Sequence, residues 1–323
     1  MQRRHFTFAL SAGALAPMTA LRAQTWPDRP VKFVLSQPPG SGPDNVARLL
    51  ADRLAKTWGQ AVLIDNKPGG QNTIGAQAAA RSPADGSTFY FATTAALVTN
   101  AYLFKQLPYD PQKDFVPVAF IARSPFGLLV EAGSPLRSLQ DVIDRAKANP
   151  GKMSLGNEGP RTFSGMISRL LASQLKLEFN QVPYASVGVA VQNTLGGQVE
   201  AIVADLASTA GLVRAGKLRL LAVSSAQRVP GFETVPPLAE TIAGFEMVGW
   251  FALVAPTGTP SAMVLRANRD VNALLNERDL ADRIASIGPL ADGSMGVEQV
   301  GAFLRAEHQR WAAATREIGI LPE

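Results

Sequence analysis

Short apolar runs rich in β-branched residues alternate along this chain with segments of helical periodicity, and most runs end in a turn rich in glycine, proline or hydroxyl residues. Such alternation is the pattern of parallel strands joined by crossover helices: a strand covered on both faces reads as a continuous apolar run, while a helix packed on it needs one apolar stripe. A strand is expected at 31–35, running into a loop at 36–43. A helix then starts with Asp44 as its N-cap, carries Val46, Leu49, Leu50 and Leu54 on one face and stops near Gly59. Strands at 61–64 and 88–92 complete one parallel unit within the first 120 residues. A second series begins near Phe126, with strands at 127–130, 153–155, 179–182, 201–204 and 218–223. Within it, Ser138 and Asp141 form a capping-box-like start to the helix carrying Val142, Ile143 and Ala146. A proline-rich stretch at 230–237 breaks the series, and a strand at 250–254 returns the chain to the first unit. Two long helical patterns end the sequence, striped by Val264, Leu265, Val271, Leu274 and Leu275 and by Val297, Val300, Phe303, Leu304 and Trp311, which read as core faces.

At 323 residues the chain is long for one domain and suited to two lobes. Residues 1–23 read as an export signal: Arg3 and Arg4 form the basic start, Phe6 to Ala16 a short apolar run, and Ala23 a small residue for cleavage. The run is shorter than the ~20 residues that span a bilayer. Arg3-Arg4-His5-Phe6 also resembles a twin-arginine start, so either general secretory or twin-arginine export fits, with the mature chain in the periplasm. Loss of Arg3, Arg4 and Arg22 with the leader lowers the formal charge from +5 to about +2, so the basic balance signals no nucleic-acid partner. No stripe of Lys and Arg interleaved with aromatics is present to bind a phosphate backbone.

Catalytic chemistry is scarce. Zero cysteines exclude disulfides, thiolate catalysis and cysteine-bound zinc. His5 lies in the leader, and His308, between Glu307 and Gln309 in a helix, reads as a solvent-facing residue far in sequence from any glycine-rich turn. No metal or cofactor motif is present. The run Gly211 to Lys217 imitates a phosphate-binding P-loop but places Leu218 where a magnesium-binding hydroxyl belongs, and it precedes a strand. Gly216 reads instead as the end of a helix. Asp44 and Asp205 could face each other as paired carboxylates, but capping explains Asp44 without enzymology.

The informative residues are loops at the carboxyl ends of expected strands, where open α/β sheets bind ligands. They are 38–44 with Pro39, Gly40, Ser41 and Asp44; Thr93 and Thr94; 156–164 with Gly156, Asn157, Arg161 and Thr162; and 184–186 with Tyr184. The first, third and last lead into helices, whose free N-terminal amides and positive dipole favour a carboxylate. Hydrogen bonds to a charged ligand contribute roughly 1.5 to 3 kcal/mol each, so a handful suffice for micromolar binding after ordering costs.

From Trp26 to the C-terminus the sequence resembles the tripartite tricarboxylate transporter receptors, the Bug-type extracytoplasmic solute receptors. The segments that carry the resemblance are Asp44-Asn45-Val46-Ala47-Arg48-Leu49-Leu50, Leu107-Pro108-Tyr109-Asp110-Pro111, Leu195-Gly196-Gly197-Gln198-Val199-Glu200 and Ala255-Pro256-Thr257-Gly258-Thr259-Pro260. The resemblance implies an α/β, type II periplasmic-binding-protein fold: two lobes, 24–124 with 250–323 and 125–249, joined by two crossover strands and closing on a small carboxylate ligand. It implies a monomer without catalysis that delivers its ligand to membrane permease subunits; the alternative is a ligand sensor that presents the closed form to a signalling partner. It further implies that the first loop and the 156–164 loop hold a ligand carboxylate, and that Asp205 accepts a ligand amine or hydroxyl. This chain departs from the family pattern at 39–43, 93–97, 156–164 and Ala185. Among these departures Glu158 and Arg161 add charge: Arg161 would pair with a second ligand carboxylate or bridge to Glu158 as a surface pair.

Overall fold

The computed structural model describes residues 26–317 and Pro322; the expected export leader lies outside the described residues. In chain order the elements are β1 (Val31–Leu35), α1 (Gly42–Trp58), β2 (Val62–Asn66), α2 (Thr73–Ala80), β3 (Thr88–Thr93), α3 (Asn100–Leu103) and β4 (Phe115–Glu131). There follow α4 (Leu139–Ala148), β5 (Ser154–Asn157), α5 (Phe163–Leu175), β6 (Asn180–Pro183), α6 (Val187–Leu195), β7 (Ala201–Asp205), α7 (Leu206–Arg214) and β8 (Leu218–Val223). The chain finishes with β9 (Val248–Pro256), α8 (Ser261–Leu275), α9 (Arg278–Ser286), β10 (Leu290–Ala291) and α10 (Val297–Glu317).

Strands β1, β2 and β3 run parallel, as the alternation predicts, and β9 closes this group antiparallel to β3. A second parallel group holds β5, β6 and β7. The two groups share β4, whose 17 residues pair with β9 from Phe115 to Pro125 and then with β7 and β8 from Phe126 onward. With β9 alongside, β4 carries the chain between the lobes of a type II periplasmic-binding-protein fold.

Two expectations needed correcting here. Only 127–130 of β4 is expected as a strand, whereas the strand begins at Phe115 and runs through Pro117 and Pro125. The register shifts directly after Pro117, and Pro125 ends the pairing with β9, so each proline sits where a ladder bond is already lost. Strand β4 runs antiparallel to both β7 and β8, so 127–130 opposes the other strands of the second series instead of joining them in parallel, a direction that no local pattern encodes.

The helices follow their stripes. In α1, Val46, Ala47, Leu50 and Leu54 are fully buried against Phe33 and Phe89, and full burial of such side chains contributes about 1.5–3 kcal/mol each. Its start differs from expectation: Ser41 is the N-cap and Pro43 lies in the first turn, where a missing N–H costs nothing, so Asp44 is already inside the helix. The capping box of α4 is present, Ser138 and Asp141 each accepting the other's backbone N–H. Gly216 takes φ +65° just beyond α7, which confirms the helix end there. Of the α8 stripe, Val271 and Leu275 are buried while Leu265 points to solvent.

His308 is buried, not solvent-facing. Tyr102 donates its hydroxyl to the His308 carbonyl at 2.7 Å and its Oη lies 3.3 Å from His308 Nδ1. Burial holds the imidazole pKa below its usual value. The neighbouring Glu307 is buried as well and accepts the Trp250 indole N–H at 2.7 Å, tying α10 to the crossover strand β9. Among the described residues no helix is long and apolar enough to cross a membrane.

Candidate functional site

A cavity of about 620 Å³ opens where the carboxyl ends of β1, β3 and β7 meet the crossover strands. Its wall draws on both halves of the sheet. From the first come Gln37, Ser41, Gly70 to Asn72 and the Thr93–Thr94–Ala95 turn; from the second come Glu158, Thr162, Phe163, Ala185 to Val187 and Asp205. The crossover strands supply Ser124, Phe126, Trp250 and Phe251.

Of the residues singled out in the sequence, Ser41, Thr93, Thr94, Thr162 and Asp205 stand in the cavity wall. The others lie outside it and shape the loops. Gly40 takes φ +80° and donates its N–H to Asp44 Oδ2 at 2.8 Å, while Pro39 is exposed. Asp44 also accepts from Arg48 and Asn66; burial alone would raise its pKa, and these three donors together hold it lowered. Asn157 accepts the Gly159 N–H at 2.8 Å and donates to Gln181, which sets the turn after β5. Gly156 leaves room for Tyr184 and Ile202: a Cβ there would approach Tyr184 Cε2 to 3.1 Å. Arg161 places its guanidinium 5.1 Å from the Phe104 ring centroid, away from the cavity wall.

Polar groups in the wall are mostly spent on the protein itself. Thr94 Oγ1 accepts the Trp250 backbone N–H at 2.9 Å. Thr162 caps α5 by accepting from Gly165, and Asp205 caps α7 by accepting the Ser208 N–H at 2.9 Å and its hydroxyl at 3.0 Å. Burial pushes the Asp205 carboxyl up to about 6. Glu158, which the sequence suggests as half of a surface pair, is instead a wall residue. Burial first, and the Asp205 charge second, push its carboxyl up to about 7, against hydrogen bonds from the Val187 N–H and Ser164. Only its charge between Asn157 and Gly159 flags it in the sequence. Gln37, Gln71, Ser124 and Trp250 carry no local motif and were missed, because tertiary folding alone brings them to the wall.

The halves touch beside the cavity. The Gly42 N–H donates to Ser208 Oγ at 2.8 Å, and Asn45 Nδ2 reaches the Ala207 carbonyl at 3.4 Å. A cavity walled by both halves of a two-lobed α/β fold, at the carboxyl ends of parallel strands, is the arrangement of a solute-binding protein.

Residues 46–320 match the family described as "Tripartite tricarboxylate transporter family receptor", and the chain belongs to that family. It is a binding protein, not an enzyme, as the family's members and structural neighbours are. It is 32% identical to Protein BugT of Bordetella pertussis across 97% of this chain and 95% of that one. A Rhodopseudomonas palustris protein, Rpa4515 with adipate, superposes with a TM-score of 0.88 at 32% identity, covering 92% of this chain and all of the other. MatC of the same organism, with bound malate, superposes at 0.81 and 28% identity, covering 89% and 99%.

Proposed function

We propose that the chain is exported to the periplasm and works there, as a monomer, as a receptor for a small carboxylate. The lobes 24–124 with 250–323 and 125–249 close on the ligand and present it to the membrane permease subunits of a tripartite transporter. The observation that carries this reading is the cavity between β1, β3 and β7, walled by residues of both halves, in a chain whose fold is shared by receptors solved with adipate and malate. Ser41, Thr93, Thr94, Thr162 and Asp205 are its contact residues, with Pro39, Gly40, Asp44, Gly156, Asn157 and Tyr184 holding their loops.

The test is thermal melting of natively purified protein against a broad panel of carboxylates. A ligand at a hundredfold excess over Kd stabilises by about 2.7 kcal/mol, a clear upward shift. A panel without any melting shift or calorimetric heat would refute the receptor role.

A further inference from the structure

The halves meet on two flanks of the cavity. On one, the Gly42 amide at the start of α1 reaches Ser208 in α7. On the other, the turn into α5 crosses to the opposite half through two side chains. The Arg161 guanidinium lies 5.1 Å from the Phe104 ring centroid, and the Phe163 ring meets the buried Trp311 edge-on with centroids 5.7 Å apart. Arg161 and Phe163 follow β5 in the second half; Phe104 follows α3, and Trp311 lies in α10, which packs on α3 and α8 of the first. A guanidinium within about 6 Å of a ring centroid is attracted by the ring quadrupole, and edge-to-face rings gain beyond the area they bury.

Thr162 stands between these two residues and lines the cavity. The turn that carries all three is tightly built. Gly159 takes φ +115°, Thr162 donates its N–H and its hydroxyl to the Gly159 carbonyl at 3.1 and 2.8 Å, and Thr162 Oγ1 accepts the Gly165 N–H at 3.2 Å. A Cβ on Gly165 would lie 1.9 Å from the Gly159 carbonyl oxygen, so the turn has no slack there. Arg161, Thr162 and Phe163 are therefore fixed to the start of α5 and move with it. When Thr162 comes up to the cavity, Arg161 and Phe163 come up to Phe104 and Trp311.

Phe163 lines the cavity as well as gripping Trp311, whereas Arg161 stands outside the wall. We infer that Arg161 is a positioning residue for closure, which presupposes the lobe movement proposed above: its guanidinium holds Phe104 of the first half and sets how often the halves meet, whatever solute the cavity receives. The sequence suggests Arg161 as a partner for a second ligand carboxylate; its place over Phe104 gives it the other half of the protein as partner instead.

The experiment measures closure without any solute. The chain has no cysteine, and a Cβ on Gly42 lies 2.6 Å from Ala207 Cβ on the opposite flank. Disulfides span about 3.5–4.5 Å between Cβ atoms, so Gly42→Cys with Ala207→Cys is bridged only while the halves are together or about an ångström apart. Oxidation of this parent by diamide in dilute solution, followed by loss of maleimide-reactive thiols, reads how often that happens. Arg161→Ala in the parent is expected to slow bridging about 3- to 10-fold. Phe104→Ala should slow it by a similar factor, the two together no further than the slower single change, and Arg161→Lys, which keeps the cation, should recover part of the rate. A contact that only shapes the 156–164 loop would lower the melting temperature of the reduced protein and leave the bridging rate unchanged; that result overturns the inference, as does a double variant whose loss is the product of the single losses. If Phe104→Ala fails to fold, Phe104→Leu, which removes the ring and keeps bulk, replaces it in the cycle. A parent that forms no bridge also overturns the inference, and leaves the receptor role to the carboxylate melting panel.

Discussion

Gly42 offers a direct test of lobe closure. It is the first residue of α1, packed where α1 meets the start of α7. A Cβ built on Gly42 would overlap Asp205 Oδ1 and lie 2.6 Å from Ala207 Cβ, both on the other half of the fold. Ordinary carbon contacts are about 3.5–4.0 Å, so Gly42→Ala forces the halves apart by roughly an ångström or displaces the Asp205 cap. Overpacking of this kind costs about 1–3 kcal/mol, equivalent to about 5- to 150-fold in affinity. The cost falls on the closed form, because separated lobes leave room for the methyl. In the open form alanine is the better helix residue, favoured over glycine by about 0.5–1 kcal/mol. Gly42→Ala is therefore expected to keep or raise the ligand-free melting temperature while weakening whichever carboxylate the melting panel identifies. Ser208→Ala loses the 2.8 Å bond from the Gly42 amide without adding bulk, and should cost only about 1 kcal/mol in binding. Titration calorimetry gives both affinities and small-angle scattering the degree of closure. A Gly42→Ala protein that binds within a factor of two of the wild type would refute the claim that this contact belongs to the ligand-bound form.

Two further outcomes are expected. The folded-state pKa values of Asp205 and Glu158 are raised to about 6 and about 7, so their protonated forms are favoured in the native state. They contribute stability that is full below about pH 4 and is lost as pH rises through those values. In the ligand-free protein Asp205→Asn should remove part of that loss, by at most about 3 kcal/mol between pH 4 and 7. Urea unfolding across pH would show this, and a wild-type-to-variant difference that does not change with pH would contradict it. Separately, Leu275→Ala should destabilise by about 2–5 kcal/mol and Leu265→Ala by less than about 0.5, since only the first is buried; equal costs in urea unfolding would contradict the packing of α8.

The α8 pair also shows where sequence reading stops. Val264 and Leu265 are successive apolar residues, and a helix turns about 100° between them, so periodicity alone does not say which faces the core. Contact with β4 and α1 buries Val264 and leaves Leu265 in solvent. His308 is the reverse case: a polar neighbourhood in sequence suggests solvent, and Tyr102, distant in the chain, buries it.

Alternation of strand and helix, the α4 capping box and the Gly216 helix end were legible in the sequence because they depend on residues a few positions apart. The family, too, was legible, since its motifs run the length of the chain. Of the eleven residues chosen in loops at strand ends, Ser41, Thr93, Thr94 and Thr162 stand in the cavity wall, as does Asp205, which the family resemblance supplied. Which helix starts keep free donors could not be read, because that depends on side chains arriving from other loops. The expectation of open amides met Asp44, which already takes the Gly40 N–H in the first loop, and Glu158, which lies against the Val187 N–H and Ser164 where α6 and α5 begin; Asp205 caps α7 outside those loops. Local propensity and periodicity thus determined the elements and the class of protein. Only the tertiary structure decided that Glu158 faces Asp205 in one cavity, because electrostatics between residues remote in sequence acts through distance in space.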